Sequence, residues 1–183
     1  IGIIMERKLC TIFALDVVSF SKLMAKDEAT TLKTLNKRRK FIDALIAEYE
    51  GRIFNTAGDS VLAEFTSPVR ALECAIQIQN NSQALNNIAD DNNAMSFRIG
   101  INIGDVMISD DNLFGDAVNI AARLEAEAIV DGICISQSTF DMVNLRVKVS
   151  YEDAGELDLK NIERPIKAYN VLKSKGATRG IVN

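Results

Sequence analysis

Short apolar runs alternate along the chain with longer stretches in which apolar residues recur every three or four positions, and the two patterns predict strands and helices in turn. Leu9 to Phe20 is apolar and rich in β-branched residues, the pattern of a strand buried on both faces, with Asp16 near its end. From Thr31 to Tyr49, residues Leu32, Leu35, Ile42, Leu45, Ile46 and Tyr49 keep helical spacing. The cluster Lys37-Arg38-Arg39-Lys40 is expected on the solvated side of this helix, and Gly51 is expected to stop it. Gly51 to Phe65 predicts a β-hairpin, with Gly58-Asp59 at the turn and Ile53, Phe54, Val61, Leu62 and Phe65 in the paired strands. Ser67-Pro68 then opens a second helix to about Asn87, and the polar segment from Asn86 to Asn93 reads as an exposed loop.

Phe97 to Ile103 predicts a strand ending at Gly104-Asp105, with Val106 to Ile108 continuing it across a bulge. Asp110-Asp111-Asn112 turns the chain, and Gly115-Asp116 opens a helix to about Ala126. A short strand from Gly132 to Ser136, a helix from about Ser138 to Val143 and two strands between Val147 and Val171 follow, with Lys160 at a bend. Fraying is expected after Lys173. The order predicts a single α/β domain, an α+β sandwich of mixed sheet and packed helices.

Composition narrows the chemistry. At 183 residues the chain is long enough for one full core, and 48% hydrophobic with 25% charged residues is ordinary globular usage. A net charge of -4 gives no broad attraction to nucleic acid. There is no apolar run of the roughly 20 residues that a bilayer span needs and no signal-peptide pattern, so a cytoplasmic domain without membrane insertion is expected. Ile1 to Ile4 are set aside from the fold reading. Cys10, Cys74 and Cys134 sit in apolar contexts and are expected to be buried free thiols. Histidine is absent, which removes Ser-His-Asp and Cys-His nucleophiles and His-ligated zinc. Carboxylates, amides and cations remain.

Asp59 alone would be an ordinary turn residue, but Asp16 is a second carboxylate at the end of an apolar strand, costly there unless paired or bound to a cation. Asn119 and Arg123 stand four apart on one helix face. Their neighbours Val118, Ile120, Ala121, Ala122 and Leu124 are apolar, so this face is expected to be covered by protein or ligand. Two carboxylates with an Asn/Arg pair suit phosphoryl chemistry: oxygen ligands suit Mg²⁺ or Mn²⁺, and arginine offsets charge on phosphorus oxygens.

Four segments then carry a resemblance: Phe13-Ala-Leu-Asp16-Val-Val-Ser-Phe20, Asn55-Thr-Ala-Gly58-Asp59-Ser-Val-Leu-Ala-Glu-Phe65, Phe97-Arg-Ile-Gly-Ile-Asn-Ile-Gly-Asp105 and Phe114-Gly-Asp-Ala-Val-Asn119-Ile-Ala-Ala-Arg123-Leu-Glu125. In this order, and with Glu156 to Pro165, they resemble the catalytic domain of class III adenylate/guanylate cyclases over about residues 8 to 172. The resemblance implies a ferredoxin-like, mainly antiparallel sheet with packed helices, and a head-to-tail homodimer whose active sites are built from both chains. It implies that Asp16 and Asp59 hold two divalent metal ions, that Asn119 orients the ribose, and that Arg123 stabilises the transition state from the partner chain. Lys160 and the backbone amides of Val17, Val18, Ser19 and Phe20 are implied phosphate contacts. The implied reaction converts a nucleoside triphosphate to its 3′,5′-cyclic nucleotide and pyrophosphate.

Two positions depart from the family. Its base-reading lysine falls at Asn55 and the partner of that lysine at Asn112, which matches neither the adenylate nor the guanylate pattern. A carboxamide both donates and accepts, so these two residues suit either purine. ATP is expected ahead of GTP only because it is the commoner substrate of bacterial-type members. A cyclase-like module that dimerises without turnover is the alternative.

Overall fold

A computed structural model describes residues 6–90 and 92–172 of the chain. The expectations for Ile1 to Ile4 and for the chain after Lys173 lie outside the described residues. Strand β1 (Glu6–Val17) leads into two helices, α1 (Phe20–Lys26) and α2 (Glu28–Glu48). The hairpin β2 (Arg52–Ala57) and β3 (Ser60–Phe65) precedes α3 (Pro68–Ile88), β4 (Phe97–Ser109) and the short β5 (Asn112–Phe114). Helix α4 (Asp116–Glu127), β6 (Ile133–Ser136), α5 (Gln137–Val143), β7 (Ser150–Leu157) and β8 (Ile166–Leu172) complete the order.

The strands form one sheet in the order β2-β3-β1-β4-β6-β8-β7, with β5 paired to the far part of β4. All neighbours are antiparallel except β4 and β6. This is the expected mixed, mainly antiparallel sheet. Its two faces are read directly from the alternation in β1. Phe13, Leu15 and Val17 point to the larger core with Leu35, Ile42 and Ile46 of α2 and Leu72, Ala75 and Ile78 of α3. Cys10, Ile12 and Ala14 point the other way, against Ala117, Val118 and Ala121 of α4. Asp16 follows Ala14 by two and therefore lies on the α4 side. The three cysteines are buried free thiols.

Several expectations need correction. The strand that carries Asp16 ends at Val17, and Phe20 already belongs to α1, a seven-residue helix whose Phe20 and Leu23 pack half-buried against the larger core. The first long helix starts at Glu28, where the Asp27 side chain accepts from Thr30 N–H. It ends at Glu48, with the chain reversed by Glu50 at φ 68° instead of by Gly51. Strand β4 pairs with β1 without a register break from Phe97 to Ile108, so no bulge occurs at Gly104. A Cβ there would run into Ala117 of α4, so close helix packing is the reason for the glycine. Arg38 is buried at 4% exposure, not solvated. Its guanidinium donates to Ser82 O, Ser82 Oγ, Met95 O, Asn86 Oδ1 and Asn93 O, tying α2 and α3 to the approach of β4. Asn86 and Asn93 are thus anchors, and Asn86 is helical, not part of a free loop.

Candidate functional site

The register of β1 on β3 runs to Leu15 opposite Val61, which sets the hairpin tip beside the end of β1. Gly58 supplies φ 59° in the two-residue turn, and Asp59 follows it. The Val17 N–H donates to Asp16 Oδ1 at 2.9 Å and to Asp59 Oδ2 at 3.1 Å, so the two aspartates converge as the sequence suggested. Burial, and then the neighbouring Asp59, push the Asp16 carboxyl up to about 7, while the Val17 N–H and Arg98 act the other way.

Arg98 stands opposite Asp16 in the β1–β4 ladder, and its Nε is buried without a partner among the described residues. Glu125 adds a third carboxyl group, raised to about 8 by burial first and then by Asp16, with Arg98 opposing and Asp59 reinforcing. Sequence reasoning gave neither residue a role. Arg98 carried the same signal as Asp16, a charge inside an apolar strand; Glu125 closed a quoted segment without drawing notice. Among the described residues no three acidic or thiol side chains come together as a metal-binding group, so a divalent ion such as Mg²⁺ or Mn²⁺ would have to be held by the oxygens of the Asp16 and Asp59 pair.

The backbone amides after Asp16 are less available than expected. Val17 N–H is committed to the aspartates, and Val18 N–H donates to Ser96 O at 2.8 Å. Ser19, at φ 55°, and Phe20 remain, at a helix start with no side-chain cap.

Asn119 and Arg123 sit on α4 as spaced, but the argument from their apolar neighbours fails. Val118, Ile120, Ala121 and Leu124 are buried against the sheet, whereas Asn119 is exposed and Arg123 half-buried on the side turned away from it. Neither side chain has a hydrogen bond or ion pair with any described residue, and the cation whose field reaches Asp16 is Arg98, not Arg123. Helix α4 lies close because Gly100 of β4 has no side chain: a Cβ there would strike the backbone at Ala121 and Glu125.

Asn55 is exposed on β2 and lines a cavity of about 240 Å³ with Ala14, Leu62, Ala122 and Glu125. Asn112 opens β5, where its Oδ1 accepts from Leu113 N–H at 2.9 Å. Lys160 is exposed in the connection between β7 and β8, with no hydrogen bond or ion pair among the described residues. No helix among these residues is long and apolar enough to cross a membrane.

The family model described as adenylate and guanylate cyclase catalytic domain matches residues 4–173. A crystal structure of an adenylate/guanylate cyclase/hydrolase from Silicibacter pomeroyi superposes with a TM-score of 0.87 at 39% identity, covering 93% of this chain and 100% of that one. "Putative adenylate cyclase 3" of Rhizobium meliloti (strain 1021) is 41% identical over 162 residues, 88% of this chain but only 28% of that protein. The guanylate cyclase domain of RhGC from Catenaria anguillulae, solved in complex with GTP, shares the fold at TM-score 0.77 and 24% identity, over 93% of this chain and all of that one. The chain belongs to the adenylate and guanylate cyclase catalytic domain family.

Proposed function

We propose that the chain is the catalytic domain of a nucleotide cyclase, in which the ribose 3′-oxygen of a purine nucleoside triphosphate attacks its own α-phosphorus. The new O3′–P bond replaces the bond to the β-phosphate oxygen, pyrophosphate leaves, and the hydroxyl proton is released. The observation that carries this reading is the convergence of Asp16 and Asp59 on one backbone N–H. Two divalent ions held by these aspartates would acidify the 3′-hydroxyl and offset charge on the phosphate oxygens. Asn119 orients the ribose, and Arg123 faces the charge that develops at phosphorus. Ser19 and Phe20 N–H, with Lys160, serve the β- and γ-phosphates.

The site is completed by a second copy of the chain. Among the described residues Arg123 has no hydrogen bond or ion pair, and it lies on the outward side of α4, which supports a two-fold homodimer in which Arg123 and Asn119 meet the partner's Asp16 and Asp59. One domain spanning about residues 8 to 172, working in the cytoplasm, fits this reading. Purified protein given Mn²⁺ and either ATP or GTP is expected to release cyclic nucleotide and pyrophosphate in equal amounts. No product from either, with the dimer verified by light scattering, would rule the enzyme reading out. The departure from the family at both base-reading positions, Asn55 and Asn112, favours a second reading, a dimeric nucleotide-binding module without turnover. Tight nucleotide binding without product, together with turnover restored in Asn55→Lys/Asn112→Asp, would favour it.

A further inference from the structure

We infer that a small cavity on the α3 side of the sheet is a binding site for a short primary alkylammonium ion, a ligand unrelated to the nucleotide. The inference stands apart from the cyclase reading.

The cavity, about 40 Å³, lies where α3 meets the start of β6, the approach to β7 and the end of β8. Ile76, Ile133, Val149 and Val171 give it aliphatic walls, and all four belong to the larger core, on the face of the sheet opposite α4. Two further side chains of the lining each hold a buried oxygen without a hydrogen-bond partner among the described residues: Gln79 Oε1 and Asp131 Oδ1.

The Gln79 oxygen is fixed as an acceptor by the other end of its amide. Gln79 is buried at 1% exposure, and its Nε2 donates to Phe97 O and to Gly132 O, each at 3.0 Å. Turning the amide round would set its oxygen against two carbonyl oxygens and leave both without their donor. Asp131 is held in the turn after α4, at φ 63°, by its own N–H, which donates to Phe97 O at 3.0 Å. A carboxylate brings acceptors only. Asn80 adds a further amide, and no described residue of the lining carries a positive charge.

The cavity therefore offers two unpaired acceptors, one of them acidic, beside aliphatic walls. Buried acceptors of this kind cost free energy until a donor reaches them. A water could give one hydrogen to each, but it would gain nothing from the walls. A metal ion would exchange its hydration shell for two oxygens and a surface of methyl groups. A short alkylammonium ion uses both halves of the lining: its N–H groups donate to Gln79 Oε1 and Asp131 Oδ1, its charge offsets the carboxylate, and its carbons cover the isoleucine and valine side chains. At about 10–15 Å³ for each water-sized group, the volume admits the ammonium and two carbons.

The test titrates the whole chain with ethylammonium chloride and follows the methyl resonances of Val149 and Val171 by NMR. Ammonium, potassium and tetramethylammonium chlorides at the same ionic strength are the comparisons. Ethylammonium is expected to shift these resonances with a Kd of about 1 mM, as three non-hydrogen atoms allow. Ammonium and potassium should bind at least about tenfold more weakly for want of carbons, and tetramethylammonium, which has no N–H, should not bind. Asp131→Asn keeps a residue type at ease at positive φ, and it should weaken ethylammonium by at least about tenfold with the circular dichroism spectrum unchanged. Equal shifts with all four salts, no shift with any, or ethylammonium binding that Asp131→Asn leaves as tight would each overturn the inference; the second would make water the occupant. The salt series on the wild type decides the matter even if the variant does not fold, and none of these outcomes bears on turnover of ATP or GTP.

Discussion

Asp16 and Asp59 accept from the same N–H while Glu125 lies in their field, so the folded site binds protons more tightly than the unfolded chain does. The folded values, about 7 for Asp16 and about 8 for Glu125, stand above the ordinary 3.8 and 4.5. For carboxyl groups raised in this way, the contribution to stability is fully present below about pH 4 and is lost as pH rises through the folded values. Without divalent ions, Asp16→Asn is expected to gain melting temperature relative to the wild type as pH goes from 5 to 8. Mn²⁺ at pH 8 should stabilise the wild type and do little for the variant. A difference in melting temperature that stays flat across this range would contradict the assignment. Comparison with the variant matters because Asp27 and Glu64, whose carboxyl groups are held below their ordinary range, have the opposite pH dependence in both proteins.

At the level of elements, the hairpin was legible because turn chemistry and strand bulk agree at Gly58-Asp59. Helix α1 was not, since it is only seven residues long and its first apolar residue, Phe20, continues the apolar run of β1. Gly104 was misread because a glycine within a strand signals either a bulge or a close neighbour, and only the position of α4 decides between them. Arg38 was missed for a different reason. It falls on the buried stripe with Thr31, Leu35, Ile42 and Ile46, but four consecutive basic residues look like one solvated patch. Arg38→Met should destabilise the protein by about 3 kcal/mol, because several buried or half-buried acceptors lose their donor at once. Urea unfolding measures this; a loss below about 0.5 kcal/mol would mean that water replaces the guanidinium.

For the molecule as a whole, the sandwich could be read from the pattern because it depends on local alternation, whereas the joint role of Asp16 and Asp59 rested on the resemblance, since the register of β1 on β3 is what brings them together. What covers Asn119 and Arg123 could not, because an apolar neighbour on a helix lies on a different face. The side of α4 that carries them is turned from the sheet, and its arginine has no ion pair among the described residues. The consequence is genetic complementation in a test tube. Asp59→Ala and Arg123→Ala should each be inactive alone, one lacking an acid and the other a cation. Mixed and allowed to exchange subunits, half of the dimers would be hybrids, each with one intact and one doubly damaged centre. Activity should return to about a quarter of the wild-type level. Rescue that fails after subunit exchange is proven by mass spectrometry would mean that each chain carries its whole site.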